Sequence, residues 1–238
     1  MSNTIQHFFV GGLLLAAVSL SGAEEKIKAV LFPFREAVVS SRVESQTGKY
    51  NFRLGEAFPA NAVLTELEKE TYDIKLKQAQ DNLDFARATY LDKQELRKGN
   101  FTSDFELKKA EYEFRSCENA FAAARLNVLH CSIRAPFAGK IVEIITREYE
   151  TVRPGQQLFR IIDDNLLLAV MNIPLKDVKP VGSVKTLLIQ GGGKVQGTVY
   201  EISPQADNRT GTVRIRVLVD NKAGKLRAGM TGVLLDDK

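Results

Sequence analysis

Histidine, cysteine and methionine are the side chains best suited to hold a soft metal or supply a nucleophile, and this sequence uses them sparingly. Histidine occurs only at 7 and 130, cysteine at 117 and 131, methionine at 1, 171 and 230. Neither methionine nor histidine clusters at ligand spacing, and no nucleophile–base pair can be built around His130. The run QGGGKVQG, Gln190 to Gly197, invites a phosphate-loop reading. It lacks the lysine–hydroxyl pair of that motif and lies between the strand-like runs VKTLLI and VQGTVYEI, so it reads as a β-turn. Gly224 in DNKAGKL reads the same way. No catalytic residue, metal ligand or cofactor site is expected, and the chain reads as a non-enzyme. Its function must lie in shape and surface.

Bulk properties agree. Of 238 residues, 44% are hydrophobic and 26% charged, enough for two or three modest domains. The net charge is +4, but basic and acidic residues are interspersed, without the basic block or aromatic–basic motif of a nucleic-acid binder. Residues 7–23, HFFVGGLLLAAVSLSGA, form a short apolar run ending in small residues. This predicts a secretory signal peptide over 1–23 with cleavage after Ala23, although no Lys or Arg precedes the run; retention as a membrane anchor is the alternative.

The elements follow from periodicity. KAVLFPFREAVVSSRV reads as strand, and short strands continue past Gly48, Gly55 and Pro59. From about Thr65 the pattern becomes helical. Tyr72, Leu76, Ala79, Leu83, Ala86 and Tyr90 recur four and three apart, the seam of a coiled coil. RKGNFTSDFE interrupts at Gly99 and Asn100, and Thr102, Ser103 or Asp104 can cap a second helix. The return arm repeats the seam at Leu107, Ala110, Phe114, Cys117, Phe121, Ala124, Val128 and Cys131. Two antiparallel helices zipped face to face should project roughly 50 Å. Both cysteines are then core residues about 21 Å apart along one helix, too far for a disulfide.

The β-segments on either side are two copies of one unit. Shifting residues 38–67 by 94 positions brings Ser45 onto Gly139, Glu56 onto Glu150, Phe58 onto Val152 and Ala60 onto Pro154. Asn61 falls on Gly155, Leu64 on Leu158 and Leu67 on Ile161. Asparagine can replace glycine at a turn because both accept positive φ. Neither copy buries enough apolar surface alone, so the two should pack as one sandwich with the hairpin inserted between them.

These half-motifs resemble a biotinyl/lipoyl-type domain, and IRAPFAGKIV is close to the signature of its second half. Split by a coiled coil and followed by the β-rich run GTVYEISPQADNRTGTVRIRVLVDNKAGKLRAGMTGVLL, the arrangement resembles the periplasmic adaptor (membrane fusion protein, HlyD-like) family of tripartite efflux and secretion systems. The Thr210–Met230 run carries the likeness to the family's β-barrel. The expected fold is mainly β with an inserted α-helical coiled-coil hairpin. It comprises a split lipoyl-like barrel-sandwich hybrid (24–64 and 132–164), a hairpin (65–131) and a C-terminal β-barrel (165–238).

The resemblance implies a protein that joins an inner-membrane transporter to an outer-membrane channel and self-associates into a ring. It also implies a location in the periplasm, at the inner membrane of a Gram-negative-type envelope. Many adaptors of resistance–nodulation–division pumps carry a tip pattern of arginine–leucine, a second leucine, a serine and an alanine. Ser103, Ala110 and Leu96 match its last three members, whereas Asp92 and Lys93 replace the arginine and first leucine. Leu96, Gly99, Phe101, Ser103 and Ala110 are thus the expected docking residues. The membrane-proximal domain of many adaptors is expected to be missing or vestigial. Two alternatives compete: a lipoyl-type carrier, for which the lysine-bearing hairpin tip is replaced by the helices, and a coiled-coil binding module without a pump.

Overall fold

The computed structural model describes residues 26–235; the expected signal segment and Ala23 lie outside them. Twelve strands and two long helices form a mainly β protein with one α-hairpin. The strands are β1 (Lys28–Ser40), β2 (Ser45–Tyr50), β3 (Ala57–Phe58), β4 (Val63–Leu67), β5 (Ser132–Arg134) and β6 (Gly139–Ile144). They continue as β7 (Thr151–Val152), β8 (Gln157–Pro174), β9 (Val184–Ile189), β10 (Gly193–Asp207), β11 (Thr212–Asp220) and β12 (Thr231–Leu235). Helices α1 (Glu70–Lys98) and α2 (Asp104–His130) separate β4 from β5.

The 94-residue shift reappears in the backbone. It carries β2 onto β6, β3 onto β7, and β4 onto the start of β8. Hydrogen bonds obey the same rule. Gly55 N–H donates to Ile141 O at 2.7 Å, and its counterpart Tyr149 donates to Thr47 O at 3.0 Å. Arg53 N–H donates to the Glu56 carboxylate, and Arg147 N–H to that of Glu150. Gly55 and Tyr149 both have positive φ, at 79° and 62°, as do Asn61 and Gly155, at 61° and 86°. The two copies therefore form two four-stranded sheets of matching order, β1-β8-β6-β3 and β5-β4-β2-β7, related by a pseudo-twofold axis. Phe58, Leu64, Val152, Leu158, Phe159 and Ile161 fill the space between them.

The second unit is a closed antiparallel barrel of order β1-β12-β9-β10-β11-β8, with β8 pairing back to β1. Inward-facing Ala29, Leu31, Leu167, Ala169, Ile215 and Val217 fill it, so it is a packed core rather than a pore. Asn221 is buried under its rim: its amide donates to Asp164 O and Leu226 O and accepts from Leu226 N–H, holding the loop that turns at Gly224 (φ 65°). The QGGG run is the β9–β10 turn, with Gly191 and Gly193 at positive φ.

Three sequence expectations need correction. Strand β4 runs to Leu67 and α1 starts at Glu70, so the helical region does not begin at Thr65. The first stretch of β1, from Lys28, belongs to the barrel through its pairing with β12, and β8 crosses residue 164 without a break. The two units thus share two continuous strands. The arms are also shorter than expected: α1 has 29 residues and α2 has 27, so the hairpin reaches about 40–44 Å.

Candidate functional site

The hairpin is built by its seam. Tyr72, Leu76, Leu83, Tyr90, Phe114, Cys117, Phe121 and Val128 are all half-buried, Ala86 and Ala110 are buried, and most other positions face solvent. Tyr90 and Phe114 stack across the seam with ring centroids 5.7 Å apart and planes within 3°. Phe114→Ala should cost about 2 kcal/mol, less than for a fully buried ring because part of it remains open to solvent. Denaturant unfolding followed by helical circular dichroism measures this, and an unchanged curve would remove Phe114 from the seam. Cys131 departs from its expected role: it lies one residue beyond α2 and packs in the sandwich core. Burial, reinforced by Asp73 and Glu66, raises its thiol pKa. Both cysteines are free.

Towards the tip the apolar seam stops. Its next α1 positions, three and seven residues after Tyr90, are Lys93 and Arg97. Lys93 pairs with Glu106 at 3.8 Å, and the Arg97 guanidinium donates to Asp104 at 2.6 Å. These pairs are partly solvated and each contributes at most about 1 kcal/mol. Periodicity alone misses them, because a charged residue on a seam position reads as surface.

The turn itself is a Schellman-type stop. Phe101 N–H donates to Leu96 O at 2.8 Å and Asn100 N–H to Arg97 O at 3.0 Å, with Asn100 at φ 60°. A Cβ on Gly99 would come 2.6 Å from the Phe101 ring, so the glycine lets that ring fold over the turn. Ser103 is the N-cap of α2, its hydroxyl accepting from Glu106 N–H at 3.2 Å. The acidic Asp104 and Glu106 then sit at a helix N-terminus and the basic Arg97 and Lys98 at a C-terminus, both favourable to the helix dipoles.

The tip presents three apolar side chains: Leu96 is 43% exposed, Phe101 81% and Phe105 73%. Phe105 was not among the expected docking residues; its position off the seam, directly after the cap, was the available signal. Ala110 must be withdrawn, because it is 5% exposed inside the seam and offers a partner almost nothing. Ser103 is occupied by capping. The surface that remains is an apolar cluster edged by charge, the composition of an interaction patch rather than of a reaction centre. Among the described residues no group of His, Cys, Asp and Glu could hold a metal ion. Nor is any described helix long and apolar enough to cross a membrane.

Known proteins share this architecture. Residues 185–234 match the family model of the CusB-like beta-barrel domain. Nodulation protein NolF of Rhizobium meliloti is 26% identical over 225 residues, covering 87% of this chain and 61% of NolF. Multidrug resistance protein MdtA of Erwinia amylovora is 23% identical over 216 residues, covering 78% of this chain and 52% of MdtA. The chain thus spans between half and about three-fifths of these relatives. A MacA–MexA chimera containing the Pseudomonas aeruginosa MexA alpha-hairpin domain superposes with a TM-score of 0.75 at 19% identity, over 87% of this chain and 78% of the chimera. With a hairpin inserted between two matching half-sandwiches and a closed barrel completed by β1, the chain has the fold of the MacA–MexA chimera, and its barrel is similar to the CusB-like beta-barrel domain.

Proposed function

We propose that this chain is a non-enzymatic periplasmic adaptor, bridging an inner-membrane transporter to an outer-membrane channel so that a compound is exported across the envelope. The observation that carries this reading is the hairpin: two helices about 40 Å long, rooted in the β-sandwich and ending in exposed Leu96, Phe101 and Phe105. A coiled coil of this kind has no chemistry of its own, so its use lies in reach and in its tip. The tip docks the channel, the β-units face the transporter, and several copies pack side by side into a ring around the export path. The protein works in the periplasm, at the inner membrane. That one relative is a multidrug resistance protein supports efflux as the setting.

Charge on the tip tests the docking role. Leu96→Asp combined with Phe101→Asp should leave secretion and helical content unchanged, since both side chains are exposed. Export, read as loss of a preloaded dye from cells that depend on this pump, should fall to nearly the level of cells lacking the protein. Normal export would remove the tip from the docking surface. The competing carrier reading is tested separately by intact mass of the native protein, because a carrier would bear a covalent cofactor.

A further inference from the structure

A groove of about 490 Å³ runs along the pseudo-twofold side of the sandwich, where α2 enters it. Residues 37–42 line it without a gap, and so do residues 132–134. Side chains on a strand face alternate, so an unbroken run of lining residues means that both strands present their edges to the groove. The pairing pattern agrees. Over Arg35–Ser40, β1 pairs only with β8, because β12 reaches no further along β1 than Val30. β5 is the outer strand of its sheet and pairs only with β4. The groove therefore lies between two open strand edges, each with one row of backbone groups unclaimed by a neighbouring strand.

Its walls have a definite character. Arg42 against His130, at 3.3 Å, closes one end. The five Cα steps from Ala37 to Arg42 span about 17 Å, the length of about five extended residues. Ala37 and Val39 lean towards the sandwich core and Ile133 lies within it. The opposite parity carries Val38, 46% exposed, and Arg134. Arg42, His130 and Arg134 line the groove and no Asp or Glu does.

We propose that this groove binds an extended acidic peptide segment of a partner protein by strand addition, independently of the hairpin tip. The backbone of the segment pairs with β1 or β5, its apolar residues point inward beside Val39 and Ile133, and its alternate carboxylates reach Arg42 and Arg134. The open edges supply affinity that any extended chain could use, and Arg42 and Arg134, with no acidic residue in the lining, select the acidic one.

The test uses the full chain and a fluorescein-labelled hexapeptide of alternating valine and aspartate, read by fluorescence anisotropy. The peptide should bind saturably, and its valine–lysine counterpart about tenfold more weakly or less. Methylating alternate backbone nitrogens of the aspartate peptide should also cost about tenfold, because the added strand loses donors. Arg42→Glu with Arg134→Glu should weaken the unmodified peptide to a similar extent without shifting thermal unfolding. Hydrogen exchange should slow at residues 37–40 or 132–134 on binding. Absence of saturable binding at millimolar peptide, equal binding of the lysine or methylated peptides, or protection confined to the helices would overturn the proposal.

Discussion

Replacing residues 70–127 with a short glycine–serine linker should leave a folded, secreted protein that no longer supports export. The expectation rests on where the cores lie. The sandwich core is made by residues on both sides of the insertion, and the barrel core by β1 and residues beyond 164, so neither needs the helices. The hairpin grips the sandwich through few contacts, chiefly Tyr72, which packs against the core and donates its hydroxyl to Glu44 O at 2.8 Å. Losing that bond costs about 1 kcal/mol, equivalent to about 2–4 °C for a chain of this size. A flexible linker joins Lys69 to Val128 without demanding a conformation. The measurements are thermal unfolding of the shortened protein and dye accumulation in cells that carry it as their sole adaptor. Normal export from the shortened protein would leave the chain a pump accessory or a binding module.

Gly139→Ala should be the most damaging small substitution in the sandwich. A Cβ at this position would stand 2.1 Å from the carbonyl oxygen of Ile162, and backbone cannot swing aside as a side chain can. Its pseudo-symmetric counterpart, Ser45, carries a side chain comfortably, with its hydroxyl donating to Glu68 O at 2.6 Å. Glu68 and Ile162 are themselves related by the 94-residue shift, so the same carbonyl meets a hydroxyl in one half and bare backbone in the other. The second half is drawn in closer, and only glycine fits. Gly139→Ala should cost about 3 kcal/mol through forced overpacking, whereas Ser45→Ala, which removes one hydrogen bond, should cost about 1 kcal/mol. Urea unfolding of the two variants measures the difference, and equal midpoints would contradict the close approach.

Much of this architecture was legible in the residues, for reasons that can be named. The duplication showed itself because turns constrain identity: a left-handed position accepts few residues, so Asn61 and Gly155 kept their alignment while the strands around them diverged. The seam showed itself because apolar spacing of three and four has no other economical explanation than two facing helices. The sharing of β1 and β8 between sandwich and barrel did not show. The chain stays extended through the crossing, where the β1–β8 register shifts between Pro33 and Arg35 opposite Leu167 and Asp163, and a strand irregularity of that kind does not read as a boundary between two cores. Cys131 fits the seam by spacing, but the helix ends one residue earlier and the sandwich takes the same side chain. At the tip, Lys93 and Arg97 hid a continued seam under charge, while Ala110 was lost as a docking residue because a pattern match says nothing about which way a side chain faces.

Contact between the hairpin tip and an outer-membrane channel is the claim on which the functional account stands. It is measured by placing a photoreactive phenylalanine analogue at Phe101, the most exposed tip residue, and irradiating intact cells. Position 85 on α1, where Phe85 is 76% exposed but remote from the turn, provides the comparison. The analogue at 101 should cross-link to an outer-membrane channel protein, and the analogue at 85 should not. Cross-links from position 101 only to inner-membrane or soluble proteins, or equal capture of the channel from both positions, would contradict the bridge.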